Sequence, residues 1–139
     1  MSNSIFQWDP NKFSVKVTSM DNEHQEIIRL MNILYEKSQS KKSKPEILEA
    51  MKNLAKYTVK HFQDEEEFFS SLPNYQGAAV HKKIHEDLLK RVNDFVTKYQ
   101  NQSHSGVDPE FFNFLKVWLS AHIAGIDKKY GEAAQHKAA

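Results

Sequence analysis

The chain has 139 residues, 40% of them apolar and 27% charged, which is the balance of an ordinary soluble globular protein. Nineteen basic residues against 18 acidic ones leave a net charge of +1, which supplies no basis for nucleic acid or an anionic membrane as a partner. The absence of cysteine excludes disulfides, zinc–thiolate sites and thiol nucleophiles. This length fits one domain spanning 1–139, with a monomer as the default state. No basic segment followed by an apolar run opens the chain, and no stretch approaches the roughly 18 apolar residues of a membrane span, so a cytoplasmic location is expected. Seven histidines are about double the usual share. Four glycines and four prolines are few for a loop-rich or all-β protein, and point to helices.

Residues 1–19 read as an irregular arm with Trp8, Pro10 and Phe13. Ser19 can cap a first helix over about 21–37, whose apolar positions Ile27, Ile28, Met31, Leu34 and Tyr35 recur at helical spacing. After the polar run 38–44, Ser43 followed by Pro45 and Glu46 signals a second helix over about 45–70, with Leu48, Met51, Leu54, Ala55, Thr58, Phe62 and Phe69 inward. Leu72-Pro73-Asn74 ends it. A third helix over about 76–100 turns Ile84, Leu88, Val92, Phe95 and Tyr99 inward. Asp108-Pro109-Glu110 combines a capping carboxylate, a first-turn proline and an acid near the positive end of the helix dipole. It starts a fourth helix over about 109–129, carrying Phe111, Leu115, Trp118, Leu119, Ile123 and Ile126. The remaining tail, from Gly131 onward, is expected to fray. Four amphipathic helices joined by short loops specify an all-α, up-down-up-down four-helix bundle.

Histidines fall on the apolar stripes. His24 lies three before Ile27, His61 sits between Thr58 and Glu65, His81 and His85 precede Leu88, and His122 lies four after Trp118. Glu65 stacks one turn beyond His61 on the same face. Asp127, five residues after His122, is rotated from it by about 140° on an ideal helix and flanks the stripe. A single inward histidine is more often a hydrogen-bonded core residue than a ligand, and a lone His-x-x-x-His arises often by chance. Five histidines and a carboxylate on the inner stripes of four helices are different, because leaving them unpaired costs more than a marginal fold carries. Metal ligation removes that cost. Asp64, Glu66 and Glu67 read as a solvated acidic face, and His104 and His136 as surface residues. Imidazole and carboxylate donors suit iron, zinc, copper or manganese. Seven ligands exceed one tetrahedral zinc and fit two six-coordinate centres sharing carboxylates.

Met20-Asp21-Asn22-Glu23-His24, His61-Phe62-Gln63-Asp64-Glu65-Glu66, His81-Lys82-Lys83-Ile84-His85 and Trp118 through Asp127 together resemble the hemerythrin family, in its short single-domain bacterial form. The resemblance covers Trp8 to Tyr130 and departs only slightly, as where Met20 replaces a branched aliphatic residue. It implies a non-haem di-iron centre (Fe2+/Fe3+) with an oxo or hydroxo bridge. One iron would take His81, His85 and His122; the other, with an open position, would take His24 and His61. Glu65 and Asp127 would bridge them. Phe62, Trp118, Leu119 and Ile123 match the family's ligand-pocket positions, which read equally as core packing. The implied function is reversible binding of dioxygen for carriage, storage or scavenging, without catalysis. The alternatives are an enzyme reducing peroxide or nitric oxide, an oxygen or redox sensor acting through a protein partner, and a structural zinc or iron-storage role. Gly125, inside the fourth helix, marks an expected close backbone approach.

Overall fold

A computed structural model describes residues 6–135, so His136 lies outside the described residues. Six α-helical elements follow one another: α1 (Pro10–Phe13), α2 (Thr18–Gln39), α3 (Lys44–Ser70), α4 (Ala78–Asn101), α5 (Pro109–Val117) and α6 (Asp127–Gln135). A π-helical segment, Trp118–Ile126, joins α5 to α6, so these three pieces form one continuous fourth rod. With α2, α3 and α4 it makes the four-helix bundle.

The direction of each rod follows from who meets whom. His24 near the start of α2 reaches Glu65 near the end of α3, as does His85 near the start of α4. His81 in the first turn of α4 reaches Asp127 late in the fourth rod. Neighbouring rods therefore alternate in direction. At the opposite end, Tyr35 late in α2 packs edge-on against Phe112 early in α5.

Local chemistry sets most boundaries. Ser43 Oγ accepts from Glu46 N at the start of α3, and Asp108 accepts from Glu110 N at the start of α5. The first long helix starts differently from expectation. It begins at Thr18 after Val17, with no side-chain cap, and Ser19 lies inside it. Asp21 in its first turn instead accepts from Ser14 Oγ at 2.6 Å and from Val15 N at 2.8 Å, which ties the arm to the helix. The arm is not wholly irregular either: Asp9 caps the single turn α1, and Asn32 pairs with both backbone groups of Phe6. Residues 131–135 are helical rather than frayed, continuing α6 to Gln135.

Gly125 makes no close approach, since a Cβ there would meet nothing within 4 Å. The tight contact is at Gly131, where a Cβ would sit 2.1 Å from Val15 O. A glycine lets the fourth rod press directly on the arm.

Apolar burial falls into two clusters. The larger runs along the bundle and includes Ile27, Met31, Leu34, Met51, Leu54, Phe62, Val92, Phe111, Leu115 and Trp118. The smaller, Val15, Met20, Phe69, Leu72 and Tyr130, closes one end. Between them lies a polar layer. Phe62 of the large cluster stacks on His85 with ring centroids at 3.8 Å, and Phe69 of the small one stacks on His81 at 4.5 Å.

Candidate metal centre

The polar layer consists of His24, His61, Glu65, His81, His85, His122 and Asp127, none more than 3% exposed. All seven residues singled out by the sequence are thus brought to one place. α2 supplies the first, α3 the next two and α4 the following pair; the fourth rod supplies the last two. The α-helical pairs His61–Glu65 and His81–His85 share a face through their four-residue spacing. His122 and Asp127 share one because the rod is π-helical there. Asp127 N donates to His122 O across five residues, and a turn that closes over five residues returns Asp127 to the side of His122. The off-stripe position expected from ideal α geometry is thereby corrected.

Every imidazole turns Nε2 inward. Glu65 Oε2 lies 3.0 Å from His24 Nε2, and Glu65 Oε1 lies 3.3 Å from His61 Nε2 and 3.2 Å from His85 Nε2. Asp127 Oδ1 lies 2.9 Å from His81 Nε2 and 3.0 Å from His122 Nε2, while its Oδ2 is 3.1 Å from His24 Nε2. Donor atoms converge in two groups, each within 4.8 Å: Glu65, His81, His85, His122 and Asp127 in one, and His24, His61, Glu65 and Asp127 in the other. Both carboxylates belong to both groups. Among the described residues, His61 Nε2, His85 Nε2, His122 Nε2, Glu65 Oε1 and Asp127 Oδ2 are buried without a properly formed hydrogen bond. Such atoms are costly unless something cationic takes their lone pairs.

The electrostatics agree. Burial opposes charge on His24, but hydrogen bonds to Asp127 and Glu65 together outweigh it and push its pKa up to about 10. His61 is raised in the same way, with burial opposing and Glu65 and Glu23 prevailing. Burial would raise Glu65, yet His61, His24 and His85 hold it well below the usual carboxylate range. Asp127 is also held low: burial and the Glu65 charge work against its ionisation, and His122 and His24 prevail. The two buried carboxylates stay ionised only beside positive charge, which the histidines supply without metal and a bound cation would supply in their place.

Around this layer lie residues the sequence did not flag. His61 Nδ1 donates to Glu23 Oε1 at 2.7 Å and His85 Nδ1 to Glu66 Oε2 at 2.9 Å. His81 Nδ1 lies 2.8 Å from the Tyr75 hydroxyl. Tyr130 Oη donates to Glu65 Oε2 at 2.6 Å, and burial followed by the Glu65 and Asp127 charges keeps that phenol protonated. Glu66 is therefore not part of a merely solvated acidic face. Glu66 sits in an acidic run whose usual meaning is solvation; Tyr75 and Tyr130 lie on a loop and a terminal helix that carried no chemical pattern. Asp64 pairs at the surface with Lys60, and His104 sits exposed in its loop.

Phe62, Trp118, Leu119 and Ile123 are all buried. Phe62 is within 6.0 Å of His61, His85, His122 and Trp118 between ring centroids. These four residues form an apolar wall on the bundle side of the polar layer. No helix among the described residues is long and apolar enough to cross a membrane.

A model of the hemerythrin HHE cation binding domain matches residues 15–134. A bacteriohemerythrin of Pseudomonas paraeruginosa is 32% identical over 136 residues, covering 98% of this chain and 84% of the relative. A myohemerythrin of Riftia pachyptila is 33% identical over 127 residues, covering 91% and 92%. A wild-type hemerythrin crystal structure superposes with a TM-score of 0.83 at 27% identity, covering 93% of this chain and 97% of the other.

Proposed function

The chain belongs to the hemerythrin family, and from that premise we propose that it binds dioxygen reversibly at a non-haem di-iron centre in the polar layer. The observation that carries this reading is the pair of donor groups that share Glu65 and Asp127 but differ by one histidine. Two metals held in these groups would share both carboxylates. The unequal remainder is His81, His85 and His122 against His24 and His61, so the metal held by the smaller group would have room for an exogenous ligand. The donor set fits iron: neutral imidazoles and two carboxylates suit it, and cations held here would satisfy the orphaned nitrogens and oxygens.

Bound iron would supply the two electrons that reversible dioxygen binding draws on. The protein's part is positional. The five histidines hold Nε2 inward from four rods. Glu65 is held ionised, and Tyr130 anchors its Oε2. Phe62, Trp118, Leu119 and Ile123 keep water from the layer, and exclusion of water protects a reactive bound state from side reactions.

Turnover of peroxide or nitric oxide consumes protons, and a side chain that delivers them would favour an enzyme. The phenol nearest the layer, Tyr130, already donates to Glu65 and strongly resists ionisation. Binding without catalysis is the reading this arrangement supports. Anaerobic loading with ferrous iron, followed by alternating oxygenation and degassing, tests it. A visible absorption band that appears with oxygen and disappears on degassing over repeated cycles supports carriage. Permanent oxidation at the first exposure, with turnover of added peroxide or nitric oxide, supports an enzyme instead.

A further inference from the structure

Outside the ligands, the two donor groups are built alike in one respect. Each contains one histidine whose outer nitrogen is held by a carboxylate from the bundle surface. In the group with His24, that histidine is His61, backed by Glu23 at 2.7 Å with the Glu23 side chain 16% exposed. In the group with His122, it is His85, backed by Glu66 at 2.9 Å with the Glu66 side chain 30% exposed. The others differ. His24 Nδ1 and His122 Nδ1 are buried without a partner among the described residues, and His81 meets the neutral Tyr75 hydroxyl. Each group thus has a single anion-backed imidazole.

The two carboxylates come from different elements, Glu23 from α2 acting on α3, and Glu66 from α3 acting on α4. Each therefore crosses a helix interface and pins the neighbouring rod's histidine. A carboxylate accepting the outer N–H fixes the tautomer with its lone pair on Nε2, holds the ring plane, and makes the imidazole a stronger donor. Strong donation favours the higher oxidation state of a bound metal.

Resting on the di-iron reading above, we propose that Glu23 and Glu66 are positioning residues, one for each iron, that orient His61 and His85 and set how strongly each metal is held and how readily it is oxidised. Glutamine at either position keeps a hydrogen-bond acceptor and removes the charge, whereas alanine removes both. Orientation and charge are therefore separable.

The test is chelator competition on the full chain loaded anaerobically with ferrous iron, together with reduction midpoints of the same samples. Glu23→Gln is expected to release one iron per chain at a chelator strength about 10–100-fold lower than wild type while the other iron is retained. Glu66→Gln is expected to loosen the other iron by a similar factor. In a His24→Ala background that keeps a single iron, Glu66→Gln still loosens it and Glu23→Gln does not. Both glutamine variants raise the midpoint, and the alanine variants raise it no less; a merely structural role would move alanine alone. Release of both irons together in either single variant, or wild-type retention and midpoints in both, overturns the inference. A wild-type chain that holds fewer than two irons overturns the di-iron reading itself, and this inference with it.

Discussion

His122 and Asp127 stand five positions apart, yet His122 Nε2 and Asp127 Oδ1 meet at 3.0 Å because the rod between them is π-helical. Asp127 also faces His24 and His81, so three of the rods converge on it. Asp127→Asn keeps the volume and removes a charge common to both donor groups. Affinity for iron should fall at both positions, by more than the roughly 10–100-fold typical of residues that only back a ligand, and iron retained per chain should fall with it. Elemental analysis after gel filtration checks this; two irons retained per chain would contradict it.

Metal removal should change the sign of the pH response. Without metal, the raised pKa of His24 contributes stability that is complete below about 6.5, its ordinary value. That contribution is lost as pH climbs towards about 10. Glu65 and Asp127, both held low, contribute stability above roughly 4 that is lost as pH falls through their lowered values. The metal-free protein should therefore melt highest near pH 4.5–6.5, by these reference values. The iron-loaded protein needs its histidines unprotonated, so acid should destabilise it and mild alkali should not. Thermal melts of both forms from pH 4 to 9 give the comparison. A metal-free melting temperature that rises from pH 6.5 to 9 would refute it.

The two glycines of the fourth rod should respond oppositely to alanine. At Gly131 the new Cβ runs into the Val15 carbonyl oxygen, a backbone atom that cannot swing aside. Gly131→Ala should cost at least the roughly 1–3 kcal/mol of an overpacked core. At Gly125 the Cβ meets nothing, so Gly125→Ala should be neutral or stabilising by up to about 1 kcal/mol. Denaturant unfolding of the two variants measures both, and equal stabilities would contradict the assigned roles.

Removing the Tyr130 hydroxyl isolates its bond to Glu65. Tyr130→Phe preserves the ring packing against Phe68 and Phe69 and deletes a donor to a buried carboxylate. The expected loss is about 1.5–3 kcal/mol, the range for a hydrogen bond to a charged group. The metal-free form should show it in full; an unchanged melting temperature there would sink this role.

How far the sequence revealed this site depends on periodicity. His24, His61, Glu65, His81, His85 and His122 repeat at spacings an α-helix stacks, so their shared interior face was visible before any coordinates. Asp127 was not, because five-residue spacing is aligned only by a π turn that no propensity announces; the family resemblance carried it. Glu66 hid inside an acidic run whose usual meaning is solvation, and its reach to His85 depends on how closely α4 packs on α3. Ser19 was a plausible cap by type, but Asp21 binding the arm moved the helix start back to Thr18. Gly125 drew notice as a glycine inside a helix, while the crowded glycine was Gly131, whose neighbour Val15 is far away in the chain. For Glu66 and Gly131, contact between separate elements rather than local pattern decided the role.

Two irons sharing Glu65 and Asp127 would be seen by anomalous scattering at the iron edge from crystals of the loaded protein. Two peaks per chain are expected in the polar layer, one beside His81, His85 and His122 and the other beside His24 and His61, with both carboxylates between them. A single peak, or two peaks that do not share these carboxylates, would contradict that arrangement.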